Sequence, residues 1–251
     1  MSKSIEFSLS GAGSYHYLRQ THSTNALLWE MIREKSLPEG FTVQTDFQTA
    51  GKGQTGNSWE SDAGKNLLFS VVLYPQRVAV ENQFIISQLV SLAIKEALDD
   101  YVDNITVKWP NDIYWYDKKI GGILIENSLQ GSKIKTVIIG IGLNVNQKEF
   151  LSTAPNPVSL LQITRKRQNR KLLLVKIIRN ILNLYQELNI DKIRAEYAAS
   201  LYRSDGFYTF SAENETFKAK IIAIKRDGQL ELETESGIQK GYYFKEVQFE
   251  Q

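Results

Sequence analysis

The sequence predicts an α+β fold followed by a small β-barrel of SH3-like type, and three patterns carry that expectation. Apolar residues recur at helical spacing in two long segments, residues 82–100 and 169–188. Strand-like runs lie before and between these segments without a regular strand–helix–strand rhythm. From Phe207 onward, short alternating runs are separated by the turn pairs Asp227-Gly228 and Ser236-Gly237. The expected division is a larger unit over residues 1–202 and the barrel over residues 203–251.

Taken in order, Tyr15-His16-Tyr17-Leu18 reads as a short strand leading into Thr21-His22-Ser23-Thr24-Asn25, a cluster of cap-forming residues. A helix from about Asn25 to Lys35 stops before Leu37-Pro38-Glu39-Gly40. Phe41–Thr45 and Leu67–Leu73 read as strands flanking a glycine-rich loop. The helix from about Asn82 to Asp100 presents Ile86, Leu89, Val90, Ala93, Ala97 and Tyr101 as one buried stripe. Ile105–Trp109 is a strand that Pro110 interrupts, and Ile113–Tyr116, a turn at Asp117-Lys118 and Ile120–Asn127 form a hairpin. Thr136–Leu143 is apolar almost throughout, as a strand covered on both faces should be. After a loop holding Pro155 and Pro157, the helix from Asn169 to Leu188 buries Leu174, Ile177, Ile178, Ile181 and Tyr185, and Asp191–Leu201 forms a shorter helix. In the barrel, Phe217, Ala219, Ile221 and Ala223 alternate with polar residues, as do Leu230 and Leu232.

Composition removes several kinds of chemistry. With no cysteine there are no disulfides, thiolate metal sites or cysteine-based acyl transfers. Two histidines, His16 and His22, are too few for a histidine metal cluster. A formal net charge of +2 gives no support to general polyanion binding. No apolar stretch reaches membrane-spanning length, and Met1–Glu6 lacks the apolar core of a signal peptide, so a cytoplasmic protein with no membrane contact is expected.

Four clusters can carry chemistry. Gly51-Lys52-Gly53-Gln54-Thr55-Gly56 spells G-x-G-x-x-G, but it runs from strand to strand and not into a helix, which rejects a dinucleotide-binding turn. Asn57 stands where a Walker A loop requires lysine. Lys108-Trp109-Pro110-Asn111-Asp112 either presents polar groups from a rigid strand end or is an ordinary turn. Within Lys119–Glu126, Gly121 and Gly122 mark either a bulge or the close approach of a ligand. Gly140-Ile141-Gly142-Leu143-Asn144-Val145-Asn146 places two amides at the end of a buried strand, able to read a purine edge or to cap a helix or loop. Together they describe a nucleotide-phosphate site with lysines, one carboxylate suited to Mg²⁺, and no candidate nucleophile. The basic run Arg165–Lys171 reads as a solvated helix entrance.

In this order and spacing, Gln48 through Trp59, Lys108 through Asp112, Lys119 through Leu124 and Gly142-Leu143-Asn144, with Ser23-Thr24-Asn25 upstream, resemble the biotin protein ligases over nearly the whole chain. The resemblance implies a catalytic domain related to class II aminoacyl-tRNA synthetases and ATP-dependent formation of biotinyl-5′-AMP. Biotin then passes to a lysine of a biotin carboxyl carrier domain. It implies biotin contacts from Ser23, Thr24, Asn25, Gln48, Gly51, Lys52, Gly53, Gln54, Lys119 and Gly122. ATP contacts are implied from Lys52, Gln54, Trp59, Lys108, Asn111, Lys119 and Asn144, Mg²⁺ at Asp112, and the central charge stabilisation from Lys119 and Lys52. Lys52 stands where the family commonly has arginine, which keeps the charge and loses the planar fork. The stretch before Ser23 is too short for the DNA-binding domain of the repressor-type members, so no DNA role is expected, in a monomer or a homodimer. Two rivals stand beside this reading: a lipoate-adenylating ligase on the same fold, and a non-catalytic biotin sensor.

Overall fold

Two sheets divide the backbone pairing of the chain. The computed structural model describes residues 5–8, 14–54, 57–151, 156–213 and 215–250, so Thr55 and Gly56 of the glycine motif and Pro155 lie outside the described residues. Strand β1 (Ile5–Ser8) and β2 (Ser14–Thr21) precede helix α1 (Thr24–Glu34), then β3 (Thr42–Gln48) and β4 (Leu67–Leu73) flank the glycine-rich loop. Helix α2 (Phe84–Asp99) follows a short 3₁₀ turn, and β5 (Ile105–Lys108), β6 (Asp112–Trp115), β7 (Lys118–Gln130) and β8 (Lys133–Leu143) complete the first sheet. Helices α3 (Leu160–Thr164), α4 (Arg170–Glu187) and α5 (Ile190–Ala199) come next. Strands β9 (Tyr208–Ala212), β10 (Glu215–Ile224), β11 (Leu230–Thr234), β12 (Gln239–Tyr242) and β13 (Gln248–Phe249) form the second sheet.

The first sheet runs β1-β2-β3-β4-β8-β7-β6-β5, with β2 and β3 parallel and the other neighbours antiparallel. The second runs β12-β11-β10-β9-β13 and is antiparallel throughout. The mixed α and β content and the C-terminal antiparallel sheet agree with the predicted fold class.

Alternation sorts the central strands onto two faces. Phe69, Val71 and Leu73 of β4 and Ile139, Ile141 and Leu143 of β8 share one apolar core with α2 and α4. On the opposite face Val43, Val72 and Ile138 pack with Leu28 and Met31 of α1. Helix α2 is less one-sided than its sequence predicts, with 12 of its 16 residues buried, among them Ser87, Gln88 and Ser91. It lies between the first sheet and helices α4 and α5, so it has little free face. Tyr101 falls beyond its end and is only partly buried. All five predicted buried positions of α4 are buried, with Asn169 as N-cap and Leu188 as C-cap.

Some boundaries move. Trp115 pairs with Lys118, so the hairpin turn is Tyr116-Asp117, one residue earlier than expected. In β10 a bulge between Ile221 and Ala223 breaks the alternation and turns Ala223 outward. The short helix α3 and the strands β1, β9 and β13 carry too few residues to show a period.

The two sheets meet at the β5–β6 turn. The Trp109–Pro110 peptide bond is cis, and Trp109 Nε1 donates to the Gly228 carbonyl at 2.8 Å. Gly228 has φ +93°, and a Cβ there would lie 2.7 Å from Phe84 Cδ2. Gly228→Ala therefore combines left-handed strain with a clash, and should lower unfolding free energy by roughly 1–3 kcal/mol. Urea denaturation measures this, and an unchanged midpoint would contradict the packing described.

Candidate functional site

A cleft of about 950 Å³ opens on the α1 side of the first sheet. Its floor is made by absent side chains. Gly122 pairs with Gly142, and Leu124 with Gly140, which places three glycines on one patch of β7 and β8. The Asn25 amide lies against Gly140, with Cγ 3.0 Å from where a Cβ would stand. The Trp59 indole lies on the next row, with Cδ2 2.8 Å from a Gly142 Cβ and Cζ3 3.1 Å from a Gly122 Cβ. Any larger residue on this row would displace the groups that cover it.

At one end of the cleft is a polar network around the start of α1. Ser23 is the N-cap, and Thr24 donates to Gln48 Oε1 through its backbone N at 2.8 Å and its hydroxyl at 3.1 Å. The hydroxyl of buried Ser70 of β4 lies within bonding distance of both Thr24 Oγ1, at 2.7 Å, and Asn25 Oδ1, at 2.6 Å. Asn25 Nδ2 reaches Glu126 Oε2 at 3.1 Å, which also accepts from Trp29 Nε1 at 3.0 Å. The Asn25 amide is thus engaged at both ends and acts here as a buttress. Ser70 and Glu126 were not singled out from the sequence, where the signals were a lone serine in an apolar strand and a carboxylate ending an apolar run.

At the other end sit the lysines. A bulge on β7 lets Tyr114 pair with Lys119 while Ile113 pairs with Gly121. Three positions apart on an unbroken strand, Lys119 and Gly122 would face opposite sides; the extra residue, Ile120, brings them to the same side. Lys119 Nζ then contacts Asp112 Oδ1 at 2.7 Å and stands 5.9 Å from the Trp59 ring centroid. Lys108 Nζ lies among the rings of Tyr114, Phe249 and Tyr202, at 4.9, 5.2 and 5.8 Å, with Tyr114 Oη at 3.3 Å. Burial holds the Lys108 ammonium below the ordinary lysine range, and Asp112 opposes that only in part. Asn111 donates its amide to the Ile123 carbonyl, which pins the turn to β7.

The described ends of the glycine-rich loop are bonded to each other. Gly53 N donates to Asn57 O at 2.9 Å and Trp59 N to Gly51 O at 3.1 Å. Three buried polar atoms in the cleft wall, Gln54 Oε1, Trp59 Nε1 and Asn144 Oδ1, have no protein partner. Groups of this kind are costly unless a ligand satisfies them.

The cleft gathers Ser23, Thr24, Asn25, Gln48, Lys52, Gly53, Gln54, Trp59, Lys108, Asn111, Asp112, Lys119, Gly122 and Asn144. Gly51 is outside its lining and instead sits against the Gln48 amide and the Trp59 carbonyl. The C-terminal sheet adds Phe244, Val247 and Phe249, which sequence reasoning missed because their neighbours are distant in the chain. Among the described residues no group of three His, Cys, Asp or Glu side chains converges on a metal position, and no helix is long and apolar enough to cross a membrane. Of the basic run, Arg165, Lys166, Arg167 and Lys171 are exposed, while Arg170 pairs with Asp46 at 3.1 Å.

A glycine floor, a cap network and two lysines share one cleft on a mixed sheet, and comparison with known proteins identifies the class to which such a site belongs. Residues 17–144 match the profile of the biotin/lipoate A/B protein ligase family. The bifunctional ligase/repressor BirA of Bacillus subtilis is 30% identical over 225 residues, which span 84% of this chain and 67% of that protein. The human biotin–protein ligase is 37% identical over 131 residues, 50% of this chain and 18% of that protein. The structure of biotin protein ligase from Aquifex aeolicus in complex with biotin and ATP superposes with a TM-score of 0.76 at 27% identity, covering 94% of this chain and 99% of that one. The chain belongs to the biotin/lipoate A/B protein ligase family.

Gly142→Ala should expel the Trp59 indole from the cleft floor. Acrylamide quenching of tryptophan fluorescence should increase, and unchanged quenching would mean that the indole does not depend on the missing side chain.

Proposed function

We propose that this protein is an ATP-dependent biotin protein ligase that makes biotinyl-5′-AMP and transfers biotin to a lysine of a biotin carboxyl carrier domain. The observation that carries the reading is the sharing of one cleft by Lys52, Lys119 and the Ser23–Gln48 network. The similarity to biotin protein ligases, and to the Aquifex aeolicus enzyme in complex with biotin and ATP, supports it. In the first step a biotin carboxylate oxygen attacks the α-phosphorus of ATP, and the bond to the bridging oxygen breaks to release pyrophosphate. In the second, the carrier lysine amine attacks the acyl carbon, AMP leaves with the bonding pair, and the amine proton passes to a base.

Each residue set has one task in this scheme. Ser23, Thr24 and Gln48 receive the polar head of biotin, with Asn25 fixed behind them and Gly122 leaving room for the Trp59 indole and the Lys119 stem beside it. Lys119 already holds a carboxylate, Asp112, at 2.7 Å, and biotin's carboxylate takes that place beside the α-phosphate. Lys52, Gly53 and Gln54 cover the reacting groups, with Gly51 shaping the turn beneath them. Like charges repel as carboxylate and phosphate approach, and a fixed cation offsets the charge that develops, worth roughly 3–4 kcal/mol per donor. Trp59 and Asn144 hold the adenine, while Lys108 and Asn111 flank the phosphates. Excluding water under the glycine loop protects the mixed anhydride from hydrolysis.

Asp112 is the residue that would hold Mg²⁺. One carboxylate does not make a protein cage, but it fits a hard cation that brings its own phosphates and waters. When bound, the ion supplies charge neutralisation at the nucleotide phosphates. The division at residues 202 and 203 into a catalytic part and an SH3-like part, and a cytoplasmic location, belong to the same reading.

Pyrophosphate release that needs both biotin and ATP tests the reading; release with lipoate in place of biotin would hand the assignment to the lipoate-adenylating rival, and binding without release to a sensor. Lys119→Ala should lower kcat/KM for adenylation by about 100- to 1,000-fold while biotin affinity changes far less. Equal losses in both would contradict the role assigned.

Lys108 has a stability signature as well. Because burial depresses its folded-state pKa, the unfolded chain binds the proton more tightly, so the charged lysine penalises folding at neutral pH. The penalty fades as pH rises from the depressed value toward the ordinary lysine range. Lys108→Met should therefore raise the melting temperature at neutral pH while weakening adenylation, with the difference in stability narrowing at higher pH. A less stable variant at neutral pH would show that the ring contacts outweigh desolvation.

A further inference from the structure

Both loops that border the cleft are tied to one buried amide pair. Asn66, at the exit of the glycine-rich loop, donates through Nδ2 to Gln147 Oε1 at 2.6 Å and to Ser61 Oγ at 3.1 Å. Its Oδ1 accepts from Val145 N at 3.0 Å, directly after Asn144. Gln147, at the entry of the loop that follows β8, accepts a second bond from Asp62 N at 3.0 Å and donates to Glu149 O at 2.9 Å. Both side chains have 0% exposure, and neither lines the cleft. A second tie joins the same loops higher up, where Leu151 N donates to Glu60 Oε1 at 2.8 Å.

We propose that Asn66 and Gln147 are positioning residues that couple the two halves of the cleft, so that filling the biotin half tightens the nucleotide half and the reverse. This rests on the ligase reading above. The glycine loop carries Lys52 and Gln54 over the biotin end, and the second loop contributes Phe150, Asn156 and Pro157 to the wall beyond Asn144. Residues 61–66 cannot shift relative to residues 144–149 without stranding buried amide donors or acceptors. A displacement of either loop base is therefore passed to the other through these bonds. Such coupling is reciprocal by thermodynamic necessity.

Calorimetric titration of the full chain with biotin, alone and with a non-hydrolysable ATP analogue, tests this, together with the reverse order. Wild type should bind biotin about tenfold or more tightly when the analogue is present. Gln147→Met should bind each ligand alone within about threefold of wild type, yet keep less than about twofold of the mutual tightening. The exchange variant Asn66→Gln with Gln147→Asn, which restores an amide pair, should recover most of it. Glu60→Ala removes the upper tie from a cleft-lining side chain outside the buried amide pair, and should reduce the tightening even if Gln147→Met does not fold. Undiminished tightening in these variants, or none in a wild type that binds biotin, overturns the proposal. A wild type that binds the analogue but no biotin removes the ligase reading itself, and the coupling proposal with it.

Discussion

The two faces of the first sheet are subject to opposite demands, and the site exists because one short patch of the sheet lacks side chains. On the α2 side, Phe69, Ile139, Ile141 and their neighbours are packed to near-zero exposure. Across the thickness of the same strands, Gly140 and Gly142 leave bare backbone, and an amide and an indole lie flat upon it. The apolar face supplies the stability that lets the other face carry polar, partly unpaired groups. Burial of each large apolar side chain contributes about 1.5–3 kcal/mol, so the rigid half of the sheet can hold a few unsatisfied atoms opposite it.

A second constraint is electrostatic. The bulge at Ile120 brings Lys119 onto the glycine side, where it meets Asp112 across the strand pair. The Lys119–Asp112 pair is a quarter exposed on each side, so its net contribution to stability is small, and its value is in holding the ammonium at a defined place. Lys108 is different. It stands among three rings in a desolvated corner built jointly by β5, β6 and the C-terminal sheet, which makes that sheet part of the site's wall.

Much of this was legible in the chain. The helical period of residues 169–188, the glycine-rich turn between strands and the clustered lysines each have a local cause, and local causes survive reading one residue at a time. What escaped reading depends on partners far away in sequence. Ser70 looks like an interruption in an apolar strand until Thr24 and Asn25 are brought over it. Arg170 belongs to an apparently solvated basic run, yet its guanidinium bonds Asp46 and the Asn66 carbonyl. The β7 bulge has no sequence mark beyond adjacent glycines, and without it the side on which Lys119 emerges is inverted.

The outer strand of the first sheet has one further property. Val107 of β5 donates to the Ser200 carbonyl at 2.8 Å and accepts from Tyr202 N at 2.9 Å, so the chain leaving α5 runs parallel along that margin before entering the second sheet. Main-chain groups that would otherwise template a foreign strand are spent on the protein's own connector. The same two bonds fasten the connector to the residue that precedes Lys108, so the path into the second sheet begins beside the site's buried ammonium.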